Sequence, residues 1–486
     1  MMNDTMIRNT PIDKEVVNSV VKASGIKDVS ISTIREIVKM VNEIEIITGE
    51  KFIRMEMGVP GIAPPQIGVE AEIAALRRGV ASKYPMIDGV IDLKNEFSRF
   101  LKLFINIDVS PEHCVPTVGA MQGSFASFML ISKFIKKQNT TLFIDPGFPV
   151  QKQQHHALGV PYESFDIYDF RGDKLKDKIE SYLIKGNISS IIYSNPNNPS
   201  WICFTENELI IIAELANKYN VIVIEDLAYI AMDFRQDFSK PGQPPYQPSV
   251  SKYTNNYILL ISSSKAFSYA GQRIGMMAIS NTLFYKESPD LYEYYRTNKF
   301  GYAMIYRALY SLSSGTSHSA QYAFAAMLKA VNEGKFNFVE NVKEYGKRAK
   351  IMKKLFTENG FSIVYSKDIN VPIADGFYFT FSYPGFDSSK LIVELMYYGI
   401  SAISLAITGS THTEGLRACV SQISMEQMPI LEERLKQFYS DHPINWFRIK
   451  ELRFRIYDLG FTNYDSSTSL TTGLGFKSIS LYYFKF

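Results

Sequence analysis

The residues with most chemistry to offer lie between Ser262 and Gly275, where Ser262-Ser263-Ser264-Lys265 precedes Gly271, Arg273 and Gly275. A lysine just past an apolar strand, among small hydroxylated neighbours, is poorly placed for a solvated surface charge. Partly desolvated, its amine loses a proton more easily and can condense with an aldehyde as a Schiff base. Arg273 can return to the same pocket as an anion clamp, the two glycines allowing close backbone approach. Two more groups follow strands: the run from Tyr193 to Ser200, with Asn195 and Asn198, and the pair Asp226 and Tyr229. An aspartate in such a place suits a protonated ring nitrogen, and Asn198 and Tyr229 suit a phenolic oxygen. Upstream, Gly119, Ala120 and Met121 open an apolar helix. Its free N–H groups and positive dipole end make a seat for phosphate, the second half of an anion site begun by Ser262 and Arg273.

The elements that must position these groups alternate between strand and helix from about Gly119 onward. The runs Thr141–Ile144, Ile188–Tyr193, Val221–Glu225, Tyr257–Ser262 and Met276–Ser280 read as strands, and Thr205 with Glu208 reads as a capping box opening a helix. Strand, helix and strand in that order predict right-handed crossovers and a mostly parallel sheet, hence an α/β fold with helices on both faces. Such sheets bind ligands beyond the carboxyl ends of their strands, which is where the unusual residues fall. Before this region, Ile34, Ile37, Val38, Val41 and Ile44 predict a helix capped by Ser32 and stopped by Gly49. A Gly/Pro loop and a second helix from near Gln66 follow, and a Pro-rich surface excursion interrupts the α/β region near 240–256. Beyond 320 the pattern is a helical stretch from Ala320 to Asn359, then strands around Phe361–Val364 and Gly376–Ser382. A helix Ser388–Tyr398, a strand near Arg417–Ser421 and a closing helix Glu426–Tyr439 come next. The expected organisation is an N-terminal segment (1–55) packing with a small α+β domain (321–443), a large α/β domain (56–320) and an appended tail (444–486).

Composition narrows the function classes. Among 486 residues, 52 Lys and Arg against 49 Asp and Glu leave a net charge of +3, which gives no footing for nucleic acid. Cys114, Cys203 and Cys419 lie far apart without CxxC pairing, so neither a disulfide framework nor a structural zinc site is expected. With no apolar leader core at the N-terminus and no apolar run near ~18 residues, a cytoplasmic location and no membrane partner are expected. The His155-His156 pair lacks a carboxylate or cysteine at ligand spacing and reads as ordinary loop, so no metal is expected. Arg296 and Lys299 read as a solvated helix face, and His412 as a surface or packing residue.

Asn195-Pro196-Asn197-Asn198-Pro199, Asp226 with Tyr229, Ser262 with Lys265 and Arg273, and Gly415-Leu416-Arg417-Ala418 stand in an order and spacing that resemble a known family. These are the fold-type I, pyridoxal-phosphate-dependent aminotransferases of class I and II, the aspartate aminotransferase family, and the resemblance spans about residues 30–442. It implies that Lys265 carries the cofactor and, once released, acts as base, while Asp226 pairs the pyridinium nitrogen. By the same likeness Asn198 and Tyr229 bond the phenolic oxygen, and Gly119, Ala120, Met121, Ser262 and Arg273 hold the phosphate. Phe148 would stack on the ring. Arg417, helped by Asn198 and the Gly58 loop, would bind the substrate α-carboxylate. Tyr84 would reach the neighbouring subunit's phosphate, which requires a homodimer. The implied activity moves an amino group from an α-amino acid to a 2-oxo acid. A β-lyase or a cyclopropane-forming synthase shares nearly all these cofactor residues and stays open. A cofactor-binding regulator would need an N-terminal DNA-binding module, and an idle scaffold should have lost Lys265 or Arg417. One residue departs from the family pattern: Trp201 stands where a glycine is usual, so either the turn differs or the pocket is partly filled.

Overall fold

The computed structural model describes residues 10–444. The tail expected from 444 onward therefore lies almost wholly outside the described residues. Seven strands build the main sheet: β1 (Cys114–Thr117), β2 (Thr140–Asp145), β3 (Tyr162–Asp166), β4 (Ile188–Ser194), β5 (Ile222–Asp226), β6 (Tyr257–Ser262) and β7 (Gly275–Ile279). Their order is β1-β7-β6-β5-β4-β2-β3. Strands β2 to β6 are mutually parallel, and β7 runs antiparallel to both β6 and β1. All residues of β2, β4, β5, β6 and β7 are buried, the continuous apolar reading of strands covered on both faces. Val115, Phe143, Ile192, Ile224, Leu260 and Met277 pack from the sheet against Phe128 and Leu130 of the helix Gly119–Ile131 and against Phe300 and Met304.

A second, antiparallel sheet comprises β8 (Ser362–Ile363), β9 (Tyr378–Ser382), β10 (Ile403–Ser404) and β11 (Leu416–Cys419), in the order β10-β11-β9-β8. Its neighbours include the helix Ser388–Tyr397 and the two-residue strand Ile53–Arg54, which pairs in parallel with Ile400–Ser401. Together the two sheets give the α/β architecture read from the sequence, with a smaller α+β part.

Three local expectations are corrected. The helix expected after Ser32 is Ile34–Thr48, with Thr33 rather than Ser32 as its N-cap, and it is preceded by a helix the sequence reading missed, Lys14–Ala23. Glu36 sits three residues after Thr33, so side chain and backbone bond reciprocally in a capping box, which Ser32 is out of register to make. The stretch from 320 to 359 is not one helix but His318–Asn332, Phe338–Val342 and Glu344–Glu358. Gly334, in the left-handed region at φ 68°, and the Asn337 cap interrupt it. The His155-His156 pair is helical, inside Pro149–Leu158, and His155 is fully buried against the Phe128 ring at 4.1 Å between centroids. Among the described residues no helix is long and apolar enough to cross a membrane.

Candidate active site

Sheet register brings the anion-binding candidates into one row. Gly275 pairs with Thr117 on one side and with Ser262 on the other. Gly119 lies two residues beyond Thr117 and Arg273 two before Gly275, so Gly119, Ser262 and Arg273 share the carboxyl edge of the parallel strands. Gly119 has φ 66° and faces the guanidinium so closely that an added Cβ would lie 2.5 Å from an Arg273 Nη. Only a residue without a side chain leaves that space, at the N-terminus of a helix whose first N–H groups point the same way. Ala120 is half-buried and Met121 is 40% exposed at that terminus. Arg273 is exposed, and among the described residues its side chain bonds the Ala270 carbonyl at 2.9 Å, which leaves donors of its fork for an anion.

One strand over, Asp226 ends β5. It is buried and its carboxylate accepts from Gln151 Nε2 (3.0 Å) and the Ala228 N–H (3.1 Å), both neutral donors. Burial pushes its pKa up to about 6 against those two bonds. A carboxylate in such surroundings favours a cationic partner. Gln151 was not foreseen, and it lies on the helix that Phe148 caps, at the carboxyl end of β2. Phe148 itself is half-buried at that edge.

Lys265 follows β6 and is half-buried, with its Nζ donating to the Gly58 carbonyl and lying 5.3 Å from the Phe377 ring centroid. Burial, then the cationic charges of Arg417 and Arg273, lower its pKa to about 8. Arg417, on β11 of the smaller sheet, is 1% exposed. It donates to the Glu56 carbonyl at 2.6 Å and to Asn198 Oδ1 at 3.3 Å, and its Nε has no partner among the described residues. Asn198 in turn donates to the Tyr229 hydroxyl at 3.3 Å. Thus Lys265 and Arg417, from different sheets, hold carbonyls of the same 56–58 loop. An open cleft of about 540 Å3, lined in part by Val59, Pro60, Tyr269 and Gly271, adjoins that loop and the turn joining Lys265 to Arg273.

The sequence candidates Lys265, Asp226, Asn198, Tyr229, Ser262, Arg273, Gly119, Gly58 and Arg417 thus come together. Tyr84 stands apart, 92% exposed beside a polar hollow lined by Ser313 to Ser319. Arg296 and Lys299 are exposed as expected, but they do not form a helix face: Arg296 caps the end of Leu291–Tyr295 and Lys299 the start of Phe300–Ala303. His412 is half-buried beside the Tyr168 and Tyr365 rings and Glu414.

The chain matches the family model described as aminotransferase class I and II over residues 50–435. It belongs to that family. A probable aspartate aminotransferase of Methanocaldococcus jannaschii is 26% identical over 54% of this chain and 64% of its own length. The LL-diaminopimelate aminotransferase of Natranaerobius thermophilus is 23% identical over 81% of this chain and 93% of its own. Among solved structures, a double mutant of Thermus thermophilus aspartate aminotransferase superposes with a TM-score of 0.67 at 18% identity, covering 86% of this chain and 98% of that one. Family membership makes this aminotransferase a pyridoxal-phosphate enzyme, and its residues suit that cofactor. The Gly119–Arg273 cradle fits a phosphate, the cation-seeking Asp226 a pyridinium, and the weakly basic Lys265 an aldehyde. The orphaned Nε of Arg417 leaves an edge for a carboxylate.

Proposed function

We propose that this aminotransferase transfers the amino group of an α-amino acid to a 2-oxo acid in two half-reactions, with Lys265 as the catalytic base and Arg417 as the clamp on the substrate carboxylate. The observation that carries this reading is the common grip of Lys265 and Arg417 on the 56–58 loop, one strand away from the buried Asp226.

Gly119, Ala120, Met121, Ser262 and Arg273 would hold the cofactor phosphate, Asp226 the ring nitrogen, Asn198 and Tyr229 the phenolic oxygen, and Phe148 the ring face. When bound, pyridoxal phosphate supplies an electron sink for the pair left at Cα once its proton is removed. The protein's own residues do the rest. Arg417 exchanges the Glu56 carbonyl for the substrate carboxylate, a bidentate acceptor that matches its fork better than one oxygen. Clamping the carboxylate orients the Cα–H bond toward Lys265, removing rotational freedom before reaction. A lysine with a pKa near 8 carries and releases a proton readily at neutral pH, which suits it to move one between two carbons. Burial of Asp226 keeps water from weakening its hold on the ring nitrogen.

We read residues 56–320 as the cofactor domain and 321–443, with 1–55, as the smaller domain that brings Arg417. The exposed Tyr84 supports a homodimer in which it reaches the partner's phosphate site, and three free cysteines agree with a reducing cytoplasm. The test is absorbance of the pyridoxal-phosphate-loaded protein with a panel of amino acids. A subset should bleach the cofactor band, and a 2-oxo acid should restore it. Lys265→Ala should slow the half-reaction by about 10⁴-fold. Release of ammonia and an oxo acid with no need for an amino acceptor would instead make the chain a lyase.

A further inference from the structure

Tyr229 has a neighbour that the reading above does not use. Tyr378, at the start of β9, places its hydroxyl 2.9 Å from the Tyr229 hydroxyl, and the Arg417 guanidinium carbon sits 4.6 Å from its ring centroid. Both phenols are buried, and burial holds both pKa values above the ordinary 10, so each keeps its proton. Two hydroxyls in contact share one bond with one proton, and either oxygen can be its donor.

Guanidinium is a donor only, so the oxygen of the Asn198 amide must face Arg417 and its NH2 must face Tyr229. The Tyr229 oxygen therefore already accepts one bond. If Tyr378 also donates to it, both acceptor positions are filled, and the single proton of Tyr229 can only point away from them. We propose that Tyr378 is a positioning residue that donates to Tyr229 and so aims the Tyr229 proton at the cofactor's phenolic oxygen. This rests on the reading that Tyr229 contacts that oxygen.

The surroundings fix Tyr378 for such a task. Its hydroxyl lies where a Cβ on Gly58 would be, at 2.1 Å, so the loop fits against it only because residue 58 has no side chain. On the other side Trp201, 1% exposed, packs its indole edge toward both tyrosines at centroid distances of 5.5 and 6.1 Å. Trp201 is the residue that departs from the family pattern. It adopts φ 65°, and its indole occupies the space above Gly376, where a Cβ would lie 1.9 Å from it. The bulk introduced at 201 is thus accommodated by the missing side chain at 376, behind the tyrosine pair rather than in the cleft.

The experiment is a pH titration of the absorbance of the pyridoxal-phosphate-loaded wild type and of Tyr229→Phe, Tyr378→Phe and Tyr345→Phe. Losing a donor to the phenolic oxygen leaves that oxygen more basic, so Tyr229→Phe should move the midpoint up. Tyr378→Phe, which weakens the donor instead of removing it, should move it up by a smaller amount. Tyr345→Phe removes a nearby hydroxyl that bonds the Gly61 N–H at 3.0 Å, outside this chain of bonds, and should leave the midpoint in place. An unchanged or lowered midpoint in Tyr378→Phe, or an equal rise in Tyr345→Phe, overturns the proposal while leaving the aminotransferase reading intact. A wild type without a cofactor band, or a Tyr229→Phe midpoint equal to wild type, overturns the underlying reading and this one with it.

Discussion

Among the buried charges of this fold, two groups are built on opposite rules. Around Arg171, on the chain between β3 and β4, every charge meets its opposite. The guanidinium contacts both carboxylate oxygens of Glu208 at 2.7 and 2.9 Å and Asp368 at 2.7 Å, and Arg235 adds a further bond to Asp368 at 2.8 Å. Burial works against each charge there, yet the ion pairs win: the pKa of Arg171 is raised and that of Glu208 lowered. At the carboxyl edge of the main sheet, where Arg417 reaches in from the smaller one, Asp226, Lys265 and Arg417 bond among the described residues to neutral amides, carbonyls and N–H groups. Burial wins there, raising Asp226 and lowering Lys265. The first group stabilises the fold by completing itself. The second is left electrostatically incomplete, and what would complete it is an anionic, ring-cationic, aldehyde-bearing ligand and a carboxylate substrate.

This contrast is broken most severely by removing the centre of the complete group. Arg171→Met strands Glu208 and leaves Asp368 with Arg235 alone, and it should cost about 3–5 kcal/mol in urea unfolding, with the cofactor band unchanged. A small loss would mean that Glu208 protonates cheaply and that the two regions are less different than their pairing suggests. Arg417→Gln tests the other side. It should leave unfolding free energy level or higher, because the lost charge had only neutral acceptors, while KM for the amino donor rises. Loss of a charge-assisted bond worth about 1.5–3 kcal/mol corresponds to a rise of roughly 10- to 150-fold. A stability loss as large as that of Arg171→Met would move Arg417 into the structural group.

The same division explains what could be read along the chain. Lys265, Asp226, Asn198, Tyr229 and Arg273 were legible because each follows or precedes a short apolar strand, and the carboxyl edge of a parallel sheet is where such residues converge. Strands β2, β4, β5, β6 and β7 were legible to within a residue or two for the same reason. β1 and β3 escaped because they lack a continuous apolar run: β1 is four residues broken by Pro116, and Glu163, Ser164 and Asp166 make most of β3 polar. Arg417 depended on the family likeness alone. Two partners were not legible, and both come from far along the chain: Gln151 lies 75 positions from Asp226, and Tyr378 lies 149 from Tyr229. Trp201 was visible as a departure, but Gly376, which makes room for it, lies in the bend just before β9 of the other sheet. His155 was misread as loop because polar neighbours on one side of its helix hid the face packed on Phe128 and Phe143.

The smallest effect gives the sharpest view of incompleteness. In the folded chain Asp226 holds its proton up to about pH 6, against an ordinary 3.8, because burial penalises the charge. The folded state therefore binds more protons than the unfolded state between those values, and stability falls as pH rises from about 4 to 6. Above 6 the full penalty is present; below 4 it vanishes. Asp226→Asn removes the titration, so the cofactor-free variant should be more stable than wild type by about 1–3 kcal/mol at pH 7–8. The gap should close as pH is lowered through 6 to 4, read by thermal unfolding at each pH. Saturating both proteins with pyridoxal phosphate should reverse the order at pH 7.5, because the wild-type carboxylate then has the ring cation to pair with and asparagine does not. A gap that stays constant with pH would place the effect in packing around Gln151 rather than in an unpaired charge.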